Sequence, residues 1–228
     1  MKHLHRDLES LQRRLLDLAG RVEVAIRDAT LALLRNDTEL ARSVVAGERA
    51  IDLMEVEVEE ECLKILALHQ PVAGQLRLVI TALKVDNDLE RMGDAAESIA
   101  VRALQLARLG QEPMPDQVAP MVAAAQSMTA NAMRCLVEAD VALARTVLTQ
   151  DAEVDELQRT LFDTLQDRMR TAPAQVESSV LLLSATRQVE RIADLATNIA
   201  EDVIFLHSGD IVRHKRASLR AQDGDRGA

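Results

Sequence analysis

The feature that most constrains the fold of this chain is an internal duplication. The stretch NDTELARSVVAGERAID (36–52) matches ADVALARTVLTQDAEVD (139–155) at an offset of 103 residues. Further on, LERMGDAAESIA (89–100) matches VERIADLATNIA (189–200) at an offset of 100, after a net deletion of three residues in the second half. Repetition on this scale indicates two copies of one supersecondary unit. The chain is therefore expected to fold as two similar units in tandem.

Each unit is predicted to contain three helices. Breaks in helical periodicity fall near 35–37, 69–74, 109–117, 138–140, 171–175 and 207–210. Between the breaks, apolar residues recur at spacings of three and four, which is typical of amphipathic helices. With no Trp or Tyr and only two Phe, the apolar side chains are chiefly Leu, Val, Ala, Ile and Met, a composition that favours packed helices over sheets. We predict an all-α fold, a tandem pair of three-helix bundles with helices of roughly 25 to 35 residues.

The boundary between the units is placed at the break that contains Pro113 and Pro115. This gives a first bundle over 5–110, a second over 116–210, and a polar C-terminal tail over 211–228. The tail loses helical periodicity and carries a basic cluster at 213–216. We expect it to be a disordered terminus, with a basic contact patch as the alternative.

Charge and hydropathy narrow the function classes. A formal net charge of −10 argues against direct nucleic-acid binding and favours cations or basic protein surfaces as partners. The N-terminus MKHLHRDLES lacks the apolar core of a signal peptide, and no run of about 18 apolar residues occurs. We therefore expect a soluble, cytoplasmic protein. Cys62 and Cys135 lack CxxC spacing and are interpreted as reduced packing residues.

Acidic residues form a stripe on the second helix and another on the third. Like charges one turn apart repel, so each stripe has a cost that a bound cation would remove. If the two helices pack antiparallel across their short connection, the stripes face each other and offer only carboxylate oxygens, which suit hard cations such as Mg²⁺, Mn²⁺ or iron. The alternative is that both stripes are solvated helix faces. The first-half candidates for metal binding are Glu48, Asp52, Glu55, Glu59, Asp86, Glu90, Asp94 and Glu97.

The second half keeps only part of this arrangement. Its equivalent acids are Asp151 and Asp155 on the fifth helix and Glu190 and Asp194 on the sixth, with Glu201 as a further candidate. The acids at 55, 59 and 86 have no counterparts, because Gln158, Phe162 and Thr186 stand in their places. We therefore expect the first site to bind metal more strongly than the second.

The helices DLERMGDAAESIA and QVERIADLATNIAEDVIF resemble the two signature helices of the PhoU family of accessory regulators of bacterial phosphate uptake. The resemblance covers about residues 5 to 210. It implies two tandem three-helix bundles, a cytoplasmic and often dimeric protein, and acid-x-x-x-Asp motifs that bind metal ions, in some members as multinuclear iron clusters. It also implies a role in repressing the phosphate-starvation response by linking a phosphate ABC transporter, through its ATPase, to a sensor histidine kinase. Any contact with the membrane would then be through those partners.

Three other functions make different demands on the sequence. An accessory subunit of another phosphate transporter class would share the bundle, and a structural helical adaptor would leave the acids solvated. A ferritin-like di-iron enzyme needs Glu-x-x-His motifs, and no Glu in this chain is followed by His at that spacing. No P-loop, GxGxxG motif or activated nucleophile is visible either. We therefore predict a non-enzymatic protein.

Overall fold

A computed structural model of the chain describes residues 2–110 and 112–209, and within them the fold is entirely helical. Every predicted break separates two helices or ends one. The tail predicted over 211–228 lies outside the described residues. The helices are α1 (Lys2–Arg35), α2 (Thr38–His69), α3 (Ala73–Leu109), α4 (Val118–Glu138), α5 (Val141–Thr171) and α6 (Val176–Ser208), with a 3₁₀ turn at Pro173–Gln175 before α6.

Two helices depart from the predicted lengths. The third, α3, extends to 37 residues, whereas α4 has only 21. The chain before α4 carries Pro113 and Pro115, whose fixed φ and missing N–H groups disfavour helix. A third proline, Pro120, is tolerated in the first turn of α4, where an N–H has no intrahelical partner. The linker therefore shortens the helix that follows it.

The duplication is visible in how α2 and α5 begin. The carboxylate of Asp37 accepts hydrogen bonds from the N–H groups of Glu39 and Leu40, and Asp140 accepts one from Leu143. These two N-caps are equivalent residues in the repeat. The residues just before them, Asn36 and Ala139, both have positive φ. The same local signals therefore start the second helix of each unit.

The apolar stripes of the helices form a continuous core. The apolar stripe of α3 is fully or nearly fully buried, and it consists of Leu89, Met92, Ala96, Ile99 and Ala103. Both cysteines are buried free thiols, as expected for packing residues. Within the described residues, no helix combines the length and the apolar character that crossing a bilayer would require.

The two bundles meet along α3 and α6, which run antiparallel. At one end, Lys84 Nζ lies 3.2 Å from Asp202 Oδ1, and at the other Arg102 Nε donates to Ser184 Oγ at 3.0 Å. Residues 84 and 184 are equivalent in the repeat, and so are 102 and 202. The two polar contacts are therefore related by the pseudo-twofold symmetry of the duplication, and they fix the register of one bundle against the other.

Candidate metal centre

The acidic stripes of α2 and α3 face each other because the two helices approach closely. A Cβ added at Gly93 would lie 3.0 Å from Cγ2 of Ile51, so the glycine of the ERMGD motif allows the contact. The close approach brings Glu48 near Glu97 at one end of the interface and Glu59 near Asp86 further along. We call the region between the two facing stripes the first groove.

Four carboxyl groups crowd together at the end of the first groove that contains Glu48. Burial and the neighbouring carboxylates of Asp52, Glu97 and Asp94 raise the pKa of Glu48 to about 7. The carboxyl group of Asp52 lies within hydrogen-bonding reach of Glu48, so a proton is favoured between them. Two acids from α2 and two from α3 therefore act on one another at this end.

The middle of the groove is equally crowded. Burial, Asp94, Glu55 and Asp52 raise the pKa of Glu90. The pKa of Glu55 is raised by burial and by Glu59 and Asp52. Carboxylates on opposite helices thus disfavour each other's ionisation along the groove. All eight acids predicted for the first half lie in this one mutually repelling set.

Asp86 lies deeper than the sequence predicted. Its place on the acidic stripe of the third helix predicts a carboxylate that a cation or water can reach, but the residue is only 2 % exposed. Its Oδ1 is buried and has no hydrogen-bond partner. Burial, with Glu55, Glu59 and Glu90 nearby, raises the pKa of Asp86 to about 8. Its charge in turn adds to the burial that raises the pKa of the Cys62 thiol to about 12.

The second groove, between α5 and α6, keeps a smaller acidic set. Burial and the carboxylates of Asp194, Asp155 and Asp151 raise the pKa of Glu190, and Arg187 opposes the rise. At the position of Asp86, the hydroxyl of Thr186 donates to the Leu182 carbonyl at 3.1 Å. The structure thus brings together the four predicted acids of the second half without the reinforcing ones.

Ala193 stands in the second half where the motif of the first half has Gly93. The residue it faces on the neighbouring helix also differs between the halves. Gly93 packs on Ile51 in the first bundle. The equivalent residues in the second bundle are Ala193 and Val154, and both are buried. A methyl group gained on α6 is matched by one lost on α5, so close helix packing is compatible with alanine there.

A polar cleft lined by residues of both α3 and α6 was not predicted. It has a volume of about 780 Å³ and is lined by Arg91 and Arg191, with Asp88 and Glu201 among its acids. Glu201, a further candidate for the second groove, is therefore found in this cleft. The sequence does contain a sign of this cleft. In each copy of the motif an arginine directly follows the glutamate, and on a helix that arginine points away from the acidic stripe.

The ligand atoms of the first groove suit a hard cation, and within the described residues no ion pair with a basic side chain neutralises its facing carboxylates. The groove offers only carboxylate oxygens, and the unpartnered Asp86 Oδ1 lacks a compensating contact. Among residues 2–110 and 112–209, however, no three His, Cys, Asp or Glu side chains are already gathered closely enough to hold an ion. Cation binding there would require side chains of α2 and α3 to rotate toward each other.

Comparison with known proteins identifies the family. A model of the PhoU domain matches the chain twice, over residues 15–103 and 118–203. The chain belongs to the PhoU family. The two matches coincide with the two halves of the duplication, which confirms the resemblance and the tandem all-α fold predicted from the sequence.

Individual relatives are similar over nearly the full chain. The phosphate-specific transport system accessory protein PhoU homolog of Aquifex aeolicus is 37% identical over 221 residues, which are 96% of this chain and 99% of the relative. The Pseudomonas aeruginosa homolog is 38% identical and covers 91% of this chain and 86% of its own length.

Two solved structures share the fold. The crystal structure of PhoU from Pseudomonas aeruginosa superposes with a TM-score of 0.88 at 37% identity, covering 90% of this chain and 99% of that one. The phosphate transport system regulatory protein PhoU from Streptococcus pneumoniae superposes with a TM-score of 0.85 at 27% identity, covering 92% and 99%.

Proposed function

We propose that this protein is a non-enzymatic, cation-binding negative regulator of phosphate uptake and of the phosphate-starvation response. The observation that carries the proposal is the membership of the PhoU family, whose relatives are named as accessory or regulatory proteins of phosphate transport systems. The partners we propose are the ATPase of a phosphate ABC transporter and a sensor histidine kinase. The protein would act in the cytoplasm as a homodimer.

The first groove is proposed as the stronger cation site. The ion would be held by Glu48 and Asp52 on α2 and by Glu90 and Asp94 on α3. The buried carboxylate of Asp86, near Glu90, would add a further oxygen ligand. Mg²⁺, Mn²⁺ or iron fits an all-oxygen site, and the long row of acids leaves room for more than one ion. A bound cation would neutralise the facing carboxylates and cross-link the two helices.

The second groove is proposed as the weaker site. Asp151, Asp155, Glu190 and Asp194 would supply it, while Arg187 nearby reduces the negative potential that attracts a cation. Binding at either groove would stiffen one wall of its bundle. Such a change alters the surface that a partner meets without any chemical reaction at the site.

The regulatory role is tested in the bacterium that encodes this chain, by deleting its gene. We expect a phosphate-starvation promoter fused to a reporter to become active, and phosphate uptake to rise, in phosphate-rich medium. The wild-type gene should restore repression, and so should V137A, a control change at an exposed residue of α4, a helix that forms neither groove. D52A/D94A, expressed at the same level, should fail. A deletion that changes neither the reporter nor uptake would refute the proposal.

A further inference from the structure

One face of α2 is apolar and exposed although it lies opposite the bundle core. Leu53, Val56 and Leu63 are 59%, 46% and 54% exposed. Their spacings of three and seven residues place them within about 80° of one another around the helix. The buried residues of the same helix, such as Val58 and Ile65, lie on the opposite side. We call this exposed face the α2 seam.

The fold does not require an apolar surface at this face, as the duplication shows. The equivalent helix of the second bundle, α5, is polar at the same three positions. Its residues there are Glu156, Arg159 and Gln166. Helix α2 packs on α1 and α3 with its buried side, and the apolar side chains of the seam stay exposed. Exposed apolar residues that form a row, rather than being scattered singly, mark an interaction surface.

The α2 seam has the residue spacing of a coiled-coil helix. Contact positions in such a helix follow one another at alternating spacings of four and three residues. The seam continues this spacing on both sides of its apolar centre, and every residue on it is exposed. The contact positions are occupied by Arg42, Ala46, Arg49, Leu53, Val56, Glu60, Leu63 and Ala67. The seam therefore offers a whole helix face of about seven turns to a second helix.

The order of residues along the seam is complementary to itself when two copies run antiparallel. We take the twofold axis between Leu53 and Val56, which then meet each other across the pair. The neighbouring contacts across the axis are Arg49 with Glu60 and Ala46 with Leu63. An apolar centre is thus flanked on both sides by an Arg–Glu ion pair and then by a small residue against a large one. A twofold pair forms each contact twice and ends assembly at a dimer.

The two flanks of the seam carry different charges. On one flank the charged residues are paired within the chain, and the pairs are Glu57 with Arg14 and Lys64 with Glu61. On the other flank lie Asp52 and Glu59, which belong to the first groove. In the antiparallel register, Asp52 of one copy would face Glu59 of the other. That contact is repulsive, so removing one of its charges should tighten the pair.

We propose that the α2 seam is the homodimer interface of this protein, formed by two copies of α2 packed antiparallel about the contact of Leu53 with Val56. The proposal rests on the homodimer named in the proposed function, but not on cation binding or phosphate regulation. A second copy fits the seam because one sequence supplies both members of each ion pair. A membrane surface would match the apolar centre but not Arg49 and Glu60 together.

The test measures the dissociation constant of the full chain by sedimentation equilibrium. It is run at about 150 mM NaCl, where repulsion between two copies of net charge −10 is largely screened. We expect a wild-type dimer with a dissociation constant in the micromolar range. L53E/V56R carries the residues of α5, so it should stay folded by circular dichroism, and its dissociation constant should rise about a hundredfold or more. E156A/R159A, the matched control on α5, should dimerise like wild type.

A charge exchange tests the antiparallel register. R49E and E60R each place like charges across the pair, and each should weaken the dimer about tenfold or more. R49E/E60R restores opposite charges at both contacts and should dimerise like wild type. E59Q should dimerise more tightly than wild type because it removes the repulsion from Asp52.

The possible outcomes separate the interface from the dimer itself. A wild type that stays monomeric at about 100 μM, its seam left for a membrane or another protein, would overturn both the interface and the homodimer of the proposed function. A dimeric wild type with an equally dimeric L53E/V56R would overturn the interface alone. Failure of R49E/E60R to recover the affinity lost in R49E would overturn the antiparallel pairing, and with it the proposal.

Discussion

Replacing Asp86 by Asn should stabilise the metal-free protein at neutral pH. The carboxyl group is 2 % exposed, and its pKa rises from an ordinary value of 3.8 to about 8. Between these values the folded state holds a proton that the unfolded state has released. Stability contributed by this group is therefore full below pH 3.8 and is lost as pH rises toward 8.

The size of the effect follows from the same shift. A tenfold change in proton affinity corresponds to about 1.4 kcal/mol, so the group costs about 4 kcal/mol at pH 7. An asparagine avoids that cost but leaves its amide imperfectly hydrogen bonded, for about 1 kcal/mol. We expect D86N to raise the free energy of unfolding by about 3 kcal/mol at pH 7 and to lower it slightly at pH 4.

The assay is urea unfolding of chelator-treated protein at pH 4, 5.5, 7 and 8, read at the linear extrapolation to water (about 10% uncertainty). D163N, at an exposed acid on α5, is the control and should show no reversal of sign with pH. A D86N variant that is less stable than wild type at pH 7, or equally shifted at every pH, would refute the reasoning. Adding Mn²⁺ should favour wild type over D86N if the carboxylate binds the ion.

Three further predictions concern packing, caps and the duplication. G93A should lower the free energy of unfolding by about 1 kcal/mol because the new methyl meets Ile51. I51V should recover part of that loss in the double variant, because valine lacks Cδ1, which lies 3.3 Å from the new methyl, but keeps Cγ2 at 3.0 Å. Additive losses in a denaturant double-mutant cycle would contradict this. D37A and D140A should each cost about 1 kcal/mol in thermal melts through loss of a helix N-cap, and no change in either would show that the caps are dispensable. T186D imports the buried acid of the first groove into the second and should destabilise by about 3 kcal/mol more at pH 8 than at pH 4, whereas a pH-independent loss would indicate a purely steric effect.

Local signals explain why so much of the fold could be predicted. Pro, Gly, Asn and Asp mark the predicted breaks, and in the described residues a helix ends at each of them. Asp37 and Asp140 occupy equivalent positions in the repeat and cap equivalent helices. Such signals act over a few residues, so they do not depend on the tertiary structure of the rest of the chain. Helix lengths were harder to predict. The short α4 begins only where the proline-containing linker ends, and the helical pattern of the sequence does not fix that residue.

The candidate site was predicted in outline but not in depth. Helical spacing predicted an acidic stripe on each helix, and antiparallel packing across a short connection predicted that the two stripes face each other. They could not show that Asp86 is buried, because burial depends on how closely α2 and α3 approach. That approach is set by the contact of Gly93 with Ile51, a tertiary feature. The polar contacts between the bundles, such as Lys84 with Asp202, depend on inter-bundle register and were likewise missed.

Metal content tests the central claim most directly, namely that the first groove is the stronger cation site. Wild-type protein, D52A/D94A and D155A/D194A are purified without chelator or His-tag, and bound metals are measured by inductively coupled plasma mass spectrometry beside thermal melts of each variant. We predict that D52A/D94A loses most of the bound metal and that D155A/D194A loses less. Unchanged metal content in folded D52A/D94A, or a greater loss in D155A/D194A, would contradict the claim.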